Sequence, residues 1–253
     1  MTRRLVAALA CRNRSTRLYG KPVQNLDVES GVRIIDNIIS CLQQLGVVDE
    51  IVLGISEGID NQNFFGIAEE KGLRYVVGDE EDVLGRLIAC AKLADATDIF
   101  RVTPESPFLY FEPIKEAWDR CKDEGADALF YDDVIDGCGF EIMSLAALEE
   151  AHLWGTKHHL EHCSLYLREN HAKYKIIRLS APAELQRRDL RLTVDNPEDL
   201  ALCRTIYSAF KDQAPTIKVH DIVTFLDANP SLIALAAPFT EEGYKTMFVW
   251  GKQ

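Results

Sequence analysis

Three arginines and a lysine, Arg12, Arg14, Arg17 and Lys21, fall within ten residues, interleaved with Ser15, Thr16 and Gly20. Guanidinium forks match the oxygens of a phosphate, and a lysine acts on them as a point charge. Residues 1–21 also contain Arg3 and Arg4 and no acid, the first acid being Asp27, although the chain carries a formal net charge of −12. A local cationic segment in an acidic chain points to a small anionic ligand. Net acidity this strong argues against general nucleic-acid binding and against attachment to an anionic membrane. The segment matches neither GxxxxGK[ST] nor GxGxxG, which sets aside a P-loop ATPase and a dinucleotide-binding dehydrogenase. A basic run is most often solvated surface. Here it follows a strand-like apolar run, residues 5–10, and that context weakens the bland reading.

The elements that must position this loop read as strand–helix alternation. Strands are expected at 5–10, 50–56, 73–77, 97–102 and 126–131, with helices at 32–45, 64–71, 79–94 and 113–123 between them. In the helix beginning at Asp79, the acids Asp79, Glu80, Glu81 and Asp82 would suit the positive end of the dipole. The second half is less regular: a strand at 140–143, helices at 145–152 and 159–169, strands at 175–179 and 190–194, a helix from Pro197 to about 210, another near 221–228, and a mixed tail. The fold class is α/β, a mostly parallel sheet flanked by helices. In such open sheets ligands bind beyond the carboxyl ends of the strands, where the basic loop lies. The economical division is one domain over 1–210, with a small subregion near 135–190, and a C-terminal helical extension over 211–253.

The chain of 253 residues is long enough to bury a sizeable core, and 47% hydrophobic and 27% charged residues are ordinary for a globular protein. Its longest apolar run is far too short to span a bilayer and is not followed by a cleavage pattern, so a cytoplasmic location is expected. Seven cysteines stand singly, without a CxxC pair, and read as free thiols of a reducing compartment. His158-His159-x-x-His162 puts His158 and His162 on one helical face, but the order of an HExxH zinc helix is missing. With Lys157, Arg187, Arg188 and Arg191, these histidines make up a second group of basic side chains, in the later half of the chain.

Arg12-x-x-Ser-Thr-Arg-Leu-x-Gly-Lys21 resembles the opening motif of the cytidylyltransferases that activate acidic sugars, such as the CMP-sialate and CMP-Kdo synthetases. Further landmarks agree in order: Gly78-Asp-Glu-Glu-Asp-Val-Leu-Gly-Arg86, Phe100-Arg-Val-Thr103, Phe140-Glu-Ile-Met-Ser144, Leu160-Glu-His162, Leu190-Arg-Leu-Thr-Val-Asp-Asn-Pro-Glu-Asp-Leu200 and Ile222-Val-Thr-Phe-Leu-Asp-Ala-Asn-Pro230. The set covers nearly the whole chain and is most similar to the branch of the spore coat polysaccharide biosynthesis proteins F. The resemblance implies a Rossmann-like nucleotide-diphospho-sugar transferase fold and a homodimer. It also implies transfer of CMP from CTP to a hydroxyl of an acidic sugar, with pyrophosphate release and Mg2+ as cofactor. By resemblance, Arg12, Ser15, Arg17 and Lys21 would hold the triphosphate, with Arg12, Arg17 and Lys21 acting in the reaction. Asp82 and Arg86 would lie by the nucleoside, Arg101 behind the site, and His162, Glu141 and Arg191 on the acceptor side. Glu105 and Asp195 would hold the metal.

The chain departs from the family pattern at several of these places. Thr103-Pro-Glu-Ser-Pro107 stands where Thr-Gly-Asp-Cys-Pro is usual, so Glu105 replaces an aspartate and Pro104 a glycine. Arg14, Tyr19 and Gly139 stand where a small residue, a proline and an aspartate are usual. Read without the resemblance, Glu105 is a loop acid and Asp195 a helix N-cap. Two other readings are compatible with the residues: a metal-dependent glycosyltransferase of related fold, using Asp132-Asp133, and a non-catalytic nucleotide-binding homologue.

Overall fold

Residues 5 to 11 are apolar throughout, and the strand they form, β1 (Leu5–Cys11), is buried on both faces at the heart of the sheet. The structure, a computed structural model, describes residues 2–246, 248 and 250. After β1 come a small hairpin, β2 (Asn25–Asp27) and β3 (Val32–Arg33), and then α1 (Ile34–Leu45), β4 (Glu50–Ser56), α2 (Asn63–Lys71), β5 (Arg74–Gly78), α3 (Val83–Leu93), β6 (Asp98–Arg101) and α4 (Ile114–Glu124). The second half runs β7 (Ala128–Tyr131), β8 (Phe140–Ser144), α5 (Leu145–Trp154), α6 (Lys157–Glu161), α7 (Leu165–Glu169), β9 (Ile176–Arg178), α8 (Pro197–Ala209), α9 (Val219–Ala228) and α10 (Pro230–Thr246).

Seven strands form one sheet in the order β5-β4-β1-β6-β8-β7-β9. All are parallel except β8, which runs antiparallel to both β6 and β7. Alternation along β1 divides the core: Leu5, Ala7 and Leu9 face a layer with Ile34, Ile38 and Phe64, while Val6 and Ala8 face one with Leu84, Leu87 and Leu148. Each large side chain so buried contributes about 1.5–3 kcal/mol relative to exposure. The chain leaves β1 in one direction to build β4 and β5 and in the other to build β6. The carboxyl ends of β1 and β6 therefore flank a topological switch point, where the sheet opens a crevice.

Several expected elements differ. Val32 and Arg33 are a strand of the hairpin rather than the first helical turn. The acids 79–82 precede α3 instead of entering it: Asp79 accepts from the Glu81 and Asp82 amides, and Asp82 is the N-cap, accepting from Gly85 N at 2.7 Å. The helix expected over 159–169 is broken between α6 and α7, with His162 in a non-helical conformation. Residues 190–194 do not join the sheet. They make a single bridge from Arg191 to Asp136, and Val194 N donates to Glu105 O at 3.1 Å. The tail expected to be mixed holds α10, which packs on α8 and α9. Residues 247, 249 and 251–253 of the expected extension lie outside the described residues. Among the described residues no single helix is long and apolar enough to cross a membrane; α9 and α10 pass that test only together, across a 108° bend.

The odd strand β8 is fastened by charge. Glu141 lies opposite Arg101 of β6 in register and pairs with it at 2.6 Å, while its other oxygen takes Arg168 of α7 at 2.7 Å. Arg168 continues to Asp132 at 2.6 Å and lies over the Phe130 ring. Burial alone would raise the Glu141 carboxyl, but Arg101 and Arg168 outweigh it and hold it down at about 2. A depressed carboxyl stabilises the fold above its unfolded value, near 4.5, and that contribution fades as pH falls toward the folded value. Glu141→Gln should therefore cost on the order of 3 kcal/mol at pH 7. In urea titrations the gap from wild type should shrink between about pH 4.5 and 2. A gap independent of pH would refute this.

Candidate active site

The loop from Arg12 to Lys21 is anchored at its start by its one uncharged amide, Asn13. Asn13, 2% exposed, donates from Nδ2 to Asp60 O and Asn63 Oδ1, and its backbone N–H donates to Asn61 Oδ1. The loop then doubles back, Gly20 N donating to Asn13 O at 2.8 Å with Gly20 in the left-handed region, φ 63°. A side chain there would be strained and would crowd Val23. Nothing in the local sequence marks Asn13 as this anchor, because its partners Asp60, Asn61 and Asn63 belong to a distant segment.

A pocket opens beneath the loop at the carboxyl ends of β1 and β6. Arg12, Ser15 and Lys21 line one side, Arg86 and Leu87 of α3 another, and Arg101, Thr103 and Glu105 a third. Arg17 stands at its edge on Asp195, at 3.1 Å, and is half exposed. Arg14 also lines the pocket, but its guanidinium is drawn to Asp60 at 3.0 Å and Glu80 at 3.5 Å. The extra cation of this loop is thus largely balanced by protein. Tyr19 is exposed, its hydroxyl 3.5 Å from Asp60 O.

Arg86 is the unusual group. It is 2% exposed, and its Nη1 donates to one carbonyl in each of two strands, Cys11 O at the end of β1 at 3.1 Å and Gly54 O within β4 at 3.0 Å. No carboxylate pairs with it among the described residues, and its Nε has no partner. Burial lowers its pKa, and Arg12 lowers it further. A Cβ at Gly78 would sit 2.9 Å from Arg86 Cγ, so the lack of a side chain there makes room for it. A buried cation without a counter-ion is expensive unless a ligand supplies the charge.

The segments that carry the two candidate metal carboxylates are bonded to each other. The Val194 amide, donating to Glu105 O, brings the segment bearing Asp195 against the Thr103–Ser106 turn, and the hydroxyls of Ser106 and Thr193 bond at 3.0 Å. Lys21 Nζ lies 2.5 Å from Asp195 Oδ1. Burial raises the Asp195 carboxyl, but Lys21, Arg191 and Arg17 together hold it below the usual range. Burial pushes Glu105 up, Asp195 adds to that, and Lys21 and Arg101 oppose it. Glu105 has only its own backbone as hydrogen-bond partner and no ion pair among the described residues. Among the described residues no three His, Cys, Asp or Glu side chains form a metal cluster. Two hard carboxylates beside a phosphate-sized cavity suit Mg2+, which usually takes one or two carboxylates and completes its shell with phosphate and water.

Other expected site residues lie elsewhere. Asp82 caps α3 and pairs with His152 at 2.7 Å, and it does not line the pocket. Glu141 is occupied by Arg101 and Arg168, as described above. Arg191, 4% exposed, sits behind Asp195 among three aspartates and is not open to an acceptor. Arg187 is taken by Asp189 and Asp227. His162 is exposed beside His158, ring centroids 4.4 Å apart; partial desolvation lowers its pKa and the neighbouring His158 adds to this. Glu161, the residue before it, reaches the pocket and meets Arg12 at 3.4 Å. Gly139 has a steric reason: a Cβ there would lie 2.5 Å from Tyr131 O. Asp132 is engaged by Arg168, and Asp133 accepts from Ala181 N at 2.7 Å. That pair is structural and gives no support to a glycosyltransferase centre.

No family model matches the chain. It is 24% identical over 245 residues to an uncharacterized protein of Methanocaldococcus jannaschii, covering 96% of this chain and 98% of that one. It is 26% identical over 235 residues to the spore coat polysaccharide biosynthesis protein SpsF of Bacillus subtilis, covering 88% and 93%. Among solved structures it superposes on a cytidylyltransferase from Leptospira borgpetersenii with a TM-score of 0.82 at 23% identity, covering 92% and 97%. It also superposes on CMP:2-keto-3-deoxy-manno-octonic acid synthetase complexed with CTP, with a TM-score of 0.62 at 13% identity, covering 81% and 99%. In sequence the chain is thus similar to the SpsF protein over most of its length, and in fold it shares the architecture of these nucleotidyltransferase structures.

Proposed function

We propose that this chain is a CTP-dependent nucleotidyltransferase that activates a sugar by transferring CMP to one of its hydroxyls. The acceptor is an acidic sugar and the product serves surface polysaccharide or glycoconjugate synthesis. The observation that carries the reading is the pocket at the ends of β1 and β6, with Arg12, Ser15 and Lys21 at its rim and Arg86 buried in its wall without a carboxylate.

The reaction moves one bond. The acceptor oxygen bonds to the α-phosphorus, the bond from that phosphorus to the bridging oxygen breaks, and pyrophosphate leaves with the negative charge. The hydroxyl proton passes to solvent. Such transfer depends on positioning and charge neutralisation. In this reading Arg12, Ser15, Arg17 and Lys21 bind the triphosphate and neutralise the leaving pyrophosphate. Lys21 and Arg17 rest on Asp195 and turn to the phosphates as they arrive. Arg86 fixes the nucleoside half with its remaining donors, and Arg101, held by Glu141, supplies positive potential at the end of β6. Glu105 and Asp195 hold Mg2+, which when bound polarises the phosphate oxygens. His158 and His162, beside Glu161 at the mouth, meet the acceptor's carboxylate.

Three outcomes are expected. In a thermal-shift comparison with magnesium, CTP should raise the melting temperature more than UTP, GTP or ATP, because a ligand bound only by the folded state stabilises it. A larger rise with another base would overturn the cytosine assignment. Lys21→Ala and Asp195→Ala should each lower pyrophosphate release about 100-fold or more in folded protein, the scale of losing one electrostatic contact in a transition state. Full activity in both would reject the site. Arg86→Met should weaken CTP binding about 10–100-fold, the loss of a hydrogen bond to a charged donor. Unchanged affinity by calorimetry would leave the buried cation without a ligand.

A further inference from the structure

Asp195 divides its two oxygens. Oδ1 takes Lys21, which lines the pocket, at 2.5 Å and Arg17 at 3.1 Å, whereas Oδ2 is held from the other side by Arg191 Nη2. Arg191 is itself fixed from two further sides, by Asp136 through Nη1 at 2.5 Å and by Asp199, whose Oδ1 lies 3.4 Å from Nε. Asp199, fully buried, also accepts the Asp195 and Asn196 amides at 3.0 and 2.8 Å, so it orients both the backbone and the partner of Asp195. The C-terminal helix closes the arrangement. The Asp136 amide donates to Tyr244 Oη at 3.3 Å, and that hydroxyl donates to Arg187 O. One turn of the same helix puts Gly243 against the guanidinium: a Cβ there would fall within contact distance of Arg191 Nη1 and 3.2 Å from Asp136 Oδ2.

We infer that Arg191 is a positioning residue for Asp195, and that α10, through Gly243, is the wall that keeps it in place. This rests on the proposed role of Asp195 at the metal. Lys21 and Arg17 must release Oδ1 when a triphosphate and its cation enter. Arg191 touches only Oδ2, so it alone keeps the carboxylate aimed while the front oxygen changes partners. Glycine is a poor residue for the interior of a helix, and its use at 243 is explained by the closeness of the guanidinium. Partners that orient a metal-binding group typically cost 10–100-fold in metal affinity when removed.

The test is Mn2+ affinity, read by electron paramagnetic resonance on the full chain with CTP, alongside CTP affinity without metal. Wild type, Arg191→Gln, Arg191→Lys and Gly243→Ala are compared, with circular dichroism to confirm folding. Arg191→Gln should weaken Mn2+ binding 10–100-fold while metal-free CTP affinity changes less than threefold, and Arg191→Lys should recover part of the loss. Gly243→Ala keeps Arg191 and places a better helix former, so a purely structural role leaves Mn2+ binding unchanged or the protein more stable; displacement of the guanidinium weakens it instead. If Arg191→Gln fails to fold, Gly243→Ala and Arg191→Lys decide the matter. Folded variants with wild-type Mn2+ affinity overturn the inference alone. A wild-type protein that binds CTP but no Mn2+ overturns the metal reading and this inference with it.

Discussion

One carboxylate sets the terms for this site. Asp195 is reached by Lys21 and Arg17 from the basic loop and by Arg191 from behind, so three cations converge on one group. That convergence needs the two ends of the chain to meet: the loop after the first strand, and the turn before α8, more than 170 residues later. The parallel sheet supplies the meeting point. Strands β1 and β6 run side by side in the same direction, and the Thr103–Ser106 turn that follows β6 is bonded to the Thr193–Val194 segment. The ion pairs at Asp195 therefore report whether the whole sheet has closed correctly, and they also preset the site for an anion that would compete for Lys21 and Arg17.

The site's second constraint is charge balance. The loop cations are not all equivalent. Arg14 is satisfied by Asp60 and Glu80, Arg101 by Glu141, and Lys21 and Arg17 by Asp195. Arg86 is buried with carbonyl partners only. An acidic protein can thus keep a positive pocket without a basic surface, because its acids neutralise the outer cations and leave the inner one to the ligand. This explains how a net charge of −12 coexists with a cationic loop.

Much of the first half was legible in the residues. The buried strand at 5–10, the strand at 50–56 and the helices ending at Gly46 and Gly72 carry strong local signals, and the structure keeps them. The failures have physical causes. Residues 79–82 look like a helical first turn, but Asp79 folds back onto its own following amides and Asp82 becomes the cap. Residues 190–194 have strand-like alternation, yet their amides go to Asp136 and Glu105 in loops, which only the tertiary fold makes available. The tail hid α10 because Pro230 begins it and Pro238 sits within it. In the site, the cluster of cations after the first strand flags Arg12 and Lys21, and the family resemblance, not local spacing, points to Arg86 and Asp195. Neither could show that Arg191 faces inward or that Asn13 anchors the loop, since both depend on partners dozens of residues away.

The most direct test of the account is a crystal structure of the full chain with CTP and Mg2+. The account predicts the triphosphate under the 12–21 loop, Lys21 Nζ moved from Asp195 onto a phosphate oxygen, and the nucleoside against Arg86. Nucleotide bound elsewhere, with Lys21 still on Asp195 and Arg86 without a ligand, would contradict it.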